Sequence, residues 1–155
     1  MANQVVWSTP AMGMVPTSRT VREGKYVTTA GRVKFDLGQT GTISFIAAVT
    51  TALPAGEYAL RALLERESPD LFGTKITLRK ARRFGGEVST ILTCGPGVQG
   101  GSVSNNIRFS DSASNRFALD LDADFYWVQV DDVEQTPITS QTIKATLGVS
   151  LIRVG

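Results

Sequence analysis

After about residue 22 the chain is a succession of short segments in which apolar and polar residues alternate with a period of two. They are rich in Val, Ile, Thr, Tyr and Phe and are separated by Gly, Pro, Asn or Asp, the pattern of strands and turns. "KYVTTAGRVKFDL" predicts two strands broken near Gly31, and "TGTISFIAAVTT" predicts a strand covered on both faces. "TKITLRKAR" and "EVSTILTC" flank "RFGG" and predict a hairpin. "QTIKATLGVSLIRV" alternates cleanly and predicts a closing strand at the C-terminus. About eight or nine strands in all suit an all-β fold, an antiparallel β-sandwich or jelly roll, formed by residues 23–155 as one domain.

Two segments need arbitration. "EYALRALLERE" (Glu57 to Glu67) consists of strong helix formers, yet as a strand it places Tyr58, Leu60, Ala62 and Leu64 on one face and Glu57, Arg61 and Glu65 on the other. The preceding "LPAG" turn favours the strand, with helix as the alternative. The second segment, "FALDLDADFYWVQVDD" (Phe117 to Asp132), sets five carboxylates around three consecutive aromatics. Asp120, Asp122 and Asp124 have the spacing of the first ligands of a calcium loop. Phe125 stands where that motif needs its turn Gly, and Asp131 where it needs its final Glu, so no metal site is assigned. The expected structure is a hairpin turning over "DAD". Phe117, Leu119 and Leu121 point inward on its first strand, and Phe125 and Trp127 lie opposite Tyr126, Val128 and Val130 on its second.

Residues 1–22 have little periodicity. Pro10 and Pro16 disfavour helix and central-strand pairing, which predicts an extended N-terminal arm. Its apolar residues Val5, Val6, Trp7, Met12 and Met14 suit contact with a neighbouring subunit. "GPGVQGGSVSNN" (Gly95 to Asn106) is a glycine-rich loop that lacks the Lys and Ser/Thr of a phosphate-binding loop.

Composition narrows the chemistry. There is no histidine, which removes the commonest general base, the Ser-His-Asp and Cys-His arrangements and every His-containing zinc site. Cys94 is the single cysteine, so no internal disulfide or thiolate cluster forms, and it reads as a small buried hydrophobe. No catalytic residue, cofactor or metal ligand is assigned, and the chain is not expected to be an enzyme. Sixteen Lys and Arg against fourteen Asp and Glu leave a net charge of +2, too small to favour nucleic acid. "LRKARRF" holds the densest cationic cluster, Arg79, Lys80, Arg82 and Arg83, with side chains projecting to both faces of a strand; it suits a charged edge or a protein contact. Trp7, Trp127, Tyr26, Tyr58 and Tyr126 are rings that could stack on sugars if exposed, but their apolar surroundings predict core packing. The start lacks the features of a signal peptide, and no apolar run approaches the ~20 residues of a membrane span, so synthesis and folding are expected in the cytoplasm.

In the layout carried by "VWSTPAMGMVP", "LPAGEYAL" and "DADFYWVQV", the chain resembles small β-sandwich and jelly-roll bacteriophage virion proteins of the capsid decoration, or cement, type. That resemblance implies a non-enzymatic virion protein that forms a homo-oligomer and stabilises a capsid lattice. Its partners would be capsid protein and copies of itself, through the arm and the Arg79–Arg83 cluster, with the Gly95–Gly101 loop ordering on contact. A jelly-roll coat protein enclosing the genome is one alternative. A carbohydrate-binding or receptor-binding β-sandwich module is the other.

Overall fold

The computed structural model describes residues 3–68, 71, 73–95 and 100–154. Along the chain these form β1 (Gln4–Pro10), a single 3-10 turn at Ala11–Gly13, β2 (Val15–Pro16), α1 (Ser18–Glu23), β3 (Tyr26–Thr29), β4 (Arg32–Phe35) and β5 (Gly41–Val49). There follow β6 (Leu53–Arg66), β7 (Thr74–Arg82), β8 (Val88–Cys94), β9 (Gly100–Ser104), β10 (Ile107–Asp111), β11 (Asn115–Leu119), β12 (Asp124–Glu134) and β13 (Lys144–Arg153). They build two antiparallel sheets. One, of eight strands, runs β3-β4-β13-β6-β10-β9, with β1 also on β13 and β11 also on β6; the other, of five, runs β2-β5-β12-β7-β8. The fold is the expected all-β sandwich, although the strands are more numerous than the eight or nine the pattern suggested. Among the described residues no helix is long and apolar enough to cross a membrane.

The helix-forming run at 57–66 is a strand because its alternate side chains are needed between the sheets. Tyr58, Leu60, Ala62 and Leu64 are each fully buried, and they meet Ile76, Leu78 and Val128 of the facing sheet in one apolar core. Burial at a period of two outweighs a propensity difference of a few tenths of a kcal/mol per residue.

The N-terminal segment lies on its own domain. β1 pairs with β13 from Gln4↔Arg153 to Pro10↔Gly148, with a bulge between Val5 and Trp7. At Gly148 a Cβ would come within 2.7 Å of the Thr9 carbonyl oxygen, so glycine is what lets the two backbones approach. Ala11 and Met14 enter the core, with Val6 and Trp7 packed against it. The segment is not extended throughout, because Ser18–Glu23 is helical. Thr17 caps the helix through its hydroxyl, and Gly24 ends it in the left-handed conformation at φ 63°.

The expected hairpin at 117–132 does not form. β11 pairs with β6 in the eight-stranded sheet, whereas β12 pairs with β5 and β7 in the other. The chain therefore crosses from one sheet to the other at "DAD". Asp120 makes that corner. Its Oδ1 accepts from Asp122 N at 3.0 Å and its carbonyl accepts from Asp124 N at 3.1 Å. The carboxylate spacing that imitates a calcium loop is turn chemistry.

A buried charge network ties the sheets together near the start of β13. Lys144 Nζ donates to Glu134 Oε2 at 3.0 Å and to the Val133 carbonyl at 2.8 Å, and sits 3.2 Å from Asp132 Oδ1. Arg66 of β6 donates to Thr74 Oγ1 at 2.6 Å, and Thr74 donates on to Asp132 at 2.8 Å. Burial opposes ionisation of Glu134, but the Lys144 hydrogen bond, the backbone N–H groups of Thr136 and Gln135 and the Lys144 charge together hold its carboxyl below the usual range.

Replacing Lys144 by Met strands the buried Asp132 carboxylate without its cation, and urea denaturation should show a loss of about 3–5 kcal/mol. A carboxyl with a depressed folded-state pKa contributes all its stability above its unfolded pKa of about 4.3, and that contribution is lost as pH falls through the lower folded value. The wild-type denaturation midpoint should therefore drop more steeply than that of Glu134→Gln on acidification below about pH 4.3.

Candidate functional site: an aromatic and cationic face on the five-stranded sheet

β12 is the central strand of the five-stranded sheet, and its two faces part by alternation. Tyr126, Val128 and Val130 are buried between the sheets, which turns Phe125, Trp127, Gln129 and Asp131 outward. Trp127 stands opposite Ala48 on β5 and Arg79 on β7. Phe125 and Trp127 are two residues apart on one face, about 7 Å along the strand. Phe125 is 53% exposed and Trp127 half-buried. The small Ala48 leaves one flank of the indole open. The result is a cleft of about 440 Å³ with Ile46, Ala48, Leu121, Phe125 and Trp127 as its apolar lining and Thr50, Arg83 and Asp124 as polar groups.

Polar groups extend the face along the strand. Trp127 Nε1 lies 3.5 Å from Gln129 Oε1, and Gln129 Nε2 donates to both oxygens of Asp131 at 3.1 and 3.2 Å. Ser44 Oγ donates to Asp131 at 2.6 Å. The Arg83 guanidinium lies 4.9 Å from the Phe125 ring centroid and that of Arg79 lies 5.8 Å from the Trp127 centroid. Arg83 also donates to the Leu121 carbonyl at 3.2 Å. Asp124 accepts from the Tyr126 hydroxyl at 3.2 Å and stands 4.0 Å from Lys80. Burial, the largest influence, raises the Tyr126 pKa and keeps that hydroxyl protonated as a donor.

The face joins two features that the sequence presents separately. Of the cationic cluster, Arg79 reaches it from β7 and Arg83 from the β7–β8 turn. Lys80 projects from the opposite face of β7, and Arg82 is exposed at the strand end. Trp127 was expected in the core and faces outward instead, because Tyr126, Val128 and Val130 take the inward positions. Tyr58 and Tyr126 are core residues as expected, and Tyr26 packs edge-on against Phe45 at 5.1 Å. The five arm residues are not gathered at this face. Val5 and Met12 are 53% and 54% exposed, Val6 and Trp7 are half-buried, and Met14 is enclosed in the core. Residues 96–99 of the glycine-rich loop lie outside the described residues. Among the described residues, no three metal-ligating side chains cluster, those of the DAD corner included.

No family model matches the sequence, and no curated protein matches it. Solved structures do resemble it in backbone course. One is the family 61 carbohydrate-binding module TmCBM61 in complex with β-1,4-galactotriose, at 14% identity and a TM-score of 0.41, over 97% of this chain and 91% of that one. Two single-residue variants of the family 29 carbohydrate-binding module CBM29-2 are similar at 11% identity, over 99% of this chain and 92% of theirs, with TM-scores of 0.33 and 0.35. What those modules bind is a property of those modules.

Away from the face, Cys94 is fully buried at the end of β8, with Sγ 3.5 Å from the Ser110 carbonyl. Burial, with the nearby Asp111 charge adding to it, pushes its thiol pKa up to about 12. At neutral pH it is a thiol and a poor nucleophile. Ellman's reagent should leave Cys94 unmodified in the native protein and titrate one thiol per chain once urea unfolds it.

Proposed function

We propose that the chain is a non-catalytic carbohydrate-binding β-sandwich that receives sugar on the outer face of its five-stranded sheet. One observation carries the reading: the outward pair Phe125 and Trp127 in an open cleft edged by hydrogen-bonding groups. A pyranose ring has a face of C–H bonds and a rim of hydroxyls. An aromatic ring removes the first from water, and fixed donors and acceptors replace the water on the second. Trp127 is the better platform, since its guanidinium neighbour is the more distant of the two. Thr50 at the cleft edge can both donate to and accept from hydroxyls, and Asp124, bonded through Oδ2 to Tyr126, can accept on Oδ1.

A second reading, a virion protein docked on a capsid lattice, draws on the exposed Val5, Met12, Val15 and Val21 of the N-terminal segment, each 53–62% accessible. A stable dimer or trimer that is indifferent to salt and silent on sugars would favour it.

Glycan-array screening followed by titration calorimetry tests the sugar reading. At least one oligosaccharide should bind, and Trp127→Ala should weaken it by about tenfold or more, as truncating a central aromatic anchor does. No binding across the array, or equal binding by a folded Trp127→Ala variant, would overturn it.

A further inference from the structure

We infer that the sugar held on this face carries a carboxylate, as in a hexuronate-containing oligosaccharide, and that Arg79 and Arg83 select it. The inference rests on the carbohydrate-binding reading and names the ligand class for the same site.

The observation is a pair of guanidinium groups set against the half-buried Trp127 and the exposed Phe125, with no carboxylate in ion-pair contact. Among the described residues Arg79 and Arg83 form no ion pair, whereas Arg19, Arg32 and Arg61 each hold a Glu or Asp within 2.9 Å. Arg79 Nε is shielded from solvent and has no hydrogen-bond partner, a costly arrangement for a strong donor. Arg83 makes a single side-chain bond, to a backbone carbonyl.

Three of the nearby acids hold other donors. Asp131 takes donors on both oxygens from Gln129, with a third from Ser44. Asp124 takes the Tyr126 hydroxyl and has Lys80 nearby. Asp120 caps the DAD turn with its Oδ1, and Asp122 is exposed on that turn. Among the described residues none of these carboxylates forms an ion pair with Arg79 or Arg83, so both guanidinium groups remain without a carboxylate partner.

Their geometry suits a planar acid. A guanidinium offers a fork of coplanar N–H donors that matches both oxygens of a carboxylate. Each fork lies beside an aromatic ring, so a sugar stacked on Trp127 or Phe125 would bring a carboxylate at its ring edge toward one of them. A neutral hexose presents a hydroxymethyl group at the same position, which leaves the positive charge uncompensated. The distinction is a difference in affinity between two ligands of one shape.

Methyl esterification removes the charge and keeps the ring, linkage and length. The full chain is titrated with oligogalacturonate, oligoglucuronate and oligomannuronate, each beside its methyl ester, at low and at moderate salt. At least one acid should bind about tenfold or more tighter than its ester, with the preference shrinking as salt screens the exposed pair. In Arg79→Gln and Arg83→Gln, checked for folding by urea midpoint, the acid-to-ester ratio should fall toward one, and Arg79→Lys should restore less of it than the native fork supplies. Esters that bind as well as acids would overturn the inference and leave the sugar reading standing. Silence toward every glycan, acid and ester alike, would remove both. Binding of oligo(dT) or oligo(U) in place of sugar, lost with the same substitutions, would overturn it in favour of a single-stranded nucleic acid face.

Discussion

Two sheets that touch through apolar side chains are free to slide unless something directional pins them, and here the pin is ionic. Lys144 on β13 of the eight-stranded sheet reaches Asp132 and Glu134 on β12 of the five-stranded sheet, and Arg66 reaches the same Asp132 through Thr74. Dispersion and burial supply most of the adhesion but have little angular preference. A buried carboxylate has strict demands, because any displacement that costs it a donor exposes the desolvation penalty. The network therefore sets how β12 lies across the sandwich more than it sets how tightly the sheets adhere.

The candidate site inherits that constraint directly. Phe125 and Trp127 lie on the strand that carries Asp132, and every outward side chain on it is aimed by the inward seating of Tyr126, Val128 and Val130. Register does the rest. Trp127 meets Arg79 because β12 and β7 pair as they do, and a one-residue slip would send the indole into the core and a valine to the surface. A binding face on the middle strand of a sheet held in this way needs no moving part.

Much of this was legible in the residues because local patterns report local geometry. The alternation at Tyr58, Leu60, Ala62 and Leu64 marked a buried strand despite its helix-forming composition, and "RFGG" marked the β7–β8 turn. Two things were not legible, for separate reasons. Sheet membership depends on partners distant in sequence, so Phe117 and Leu119 inward with Tyr126 inward fits a hairpin and a crossing between sheets equally well. The orientation of Trp127 was obscured because Phe125 through Val128 is apolar at every position, which leaves two candidate inner faces. The signal that decides between them is Val128 and Val130 continuing one face while Gln129 and Asp131 continue the other. The short helix at Ser18–Glu23 had its marks in Thr17, Gly24 and the Arg19–Glu23 spacing, but Pro10 and Pro16 drew the whole segment toward an extended reading.

The pairing of β1 with β13 has a consequence for architecture. Gln4 lies opposite Arg153, so β1 and β13 run side by side on the eight-stranded sheet, while the aromatic face belongs to the other. A support that grips the domain along β1 and β13 would hold it from behind and leave the aromatic face pointing outward.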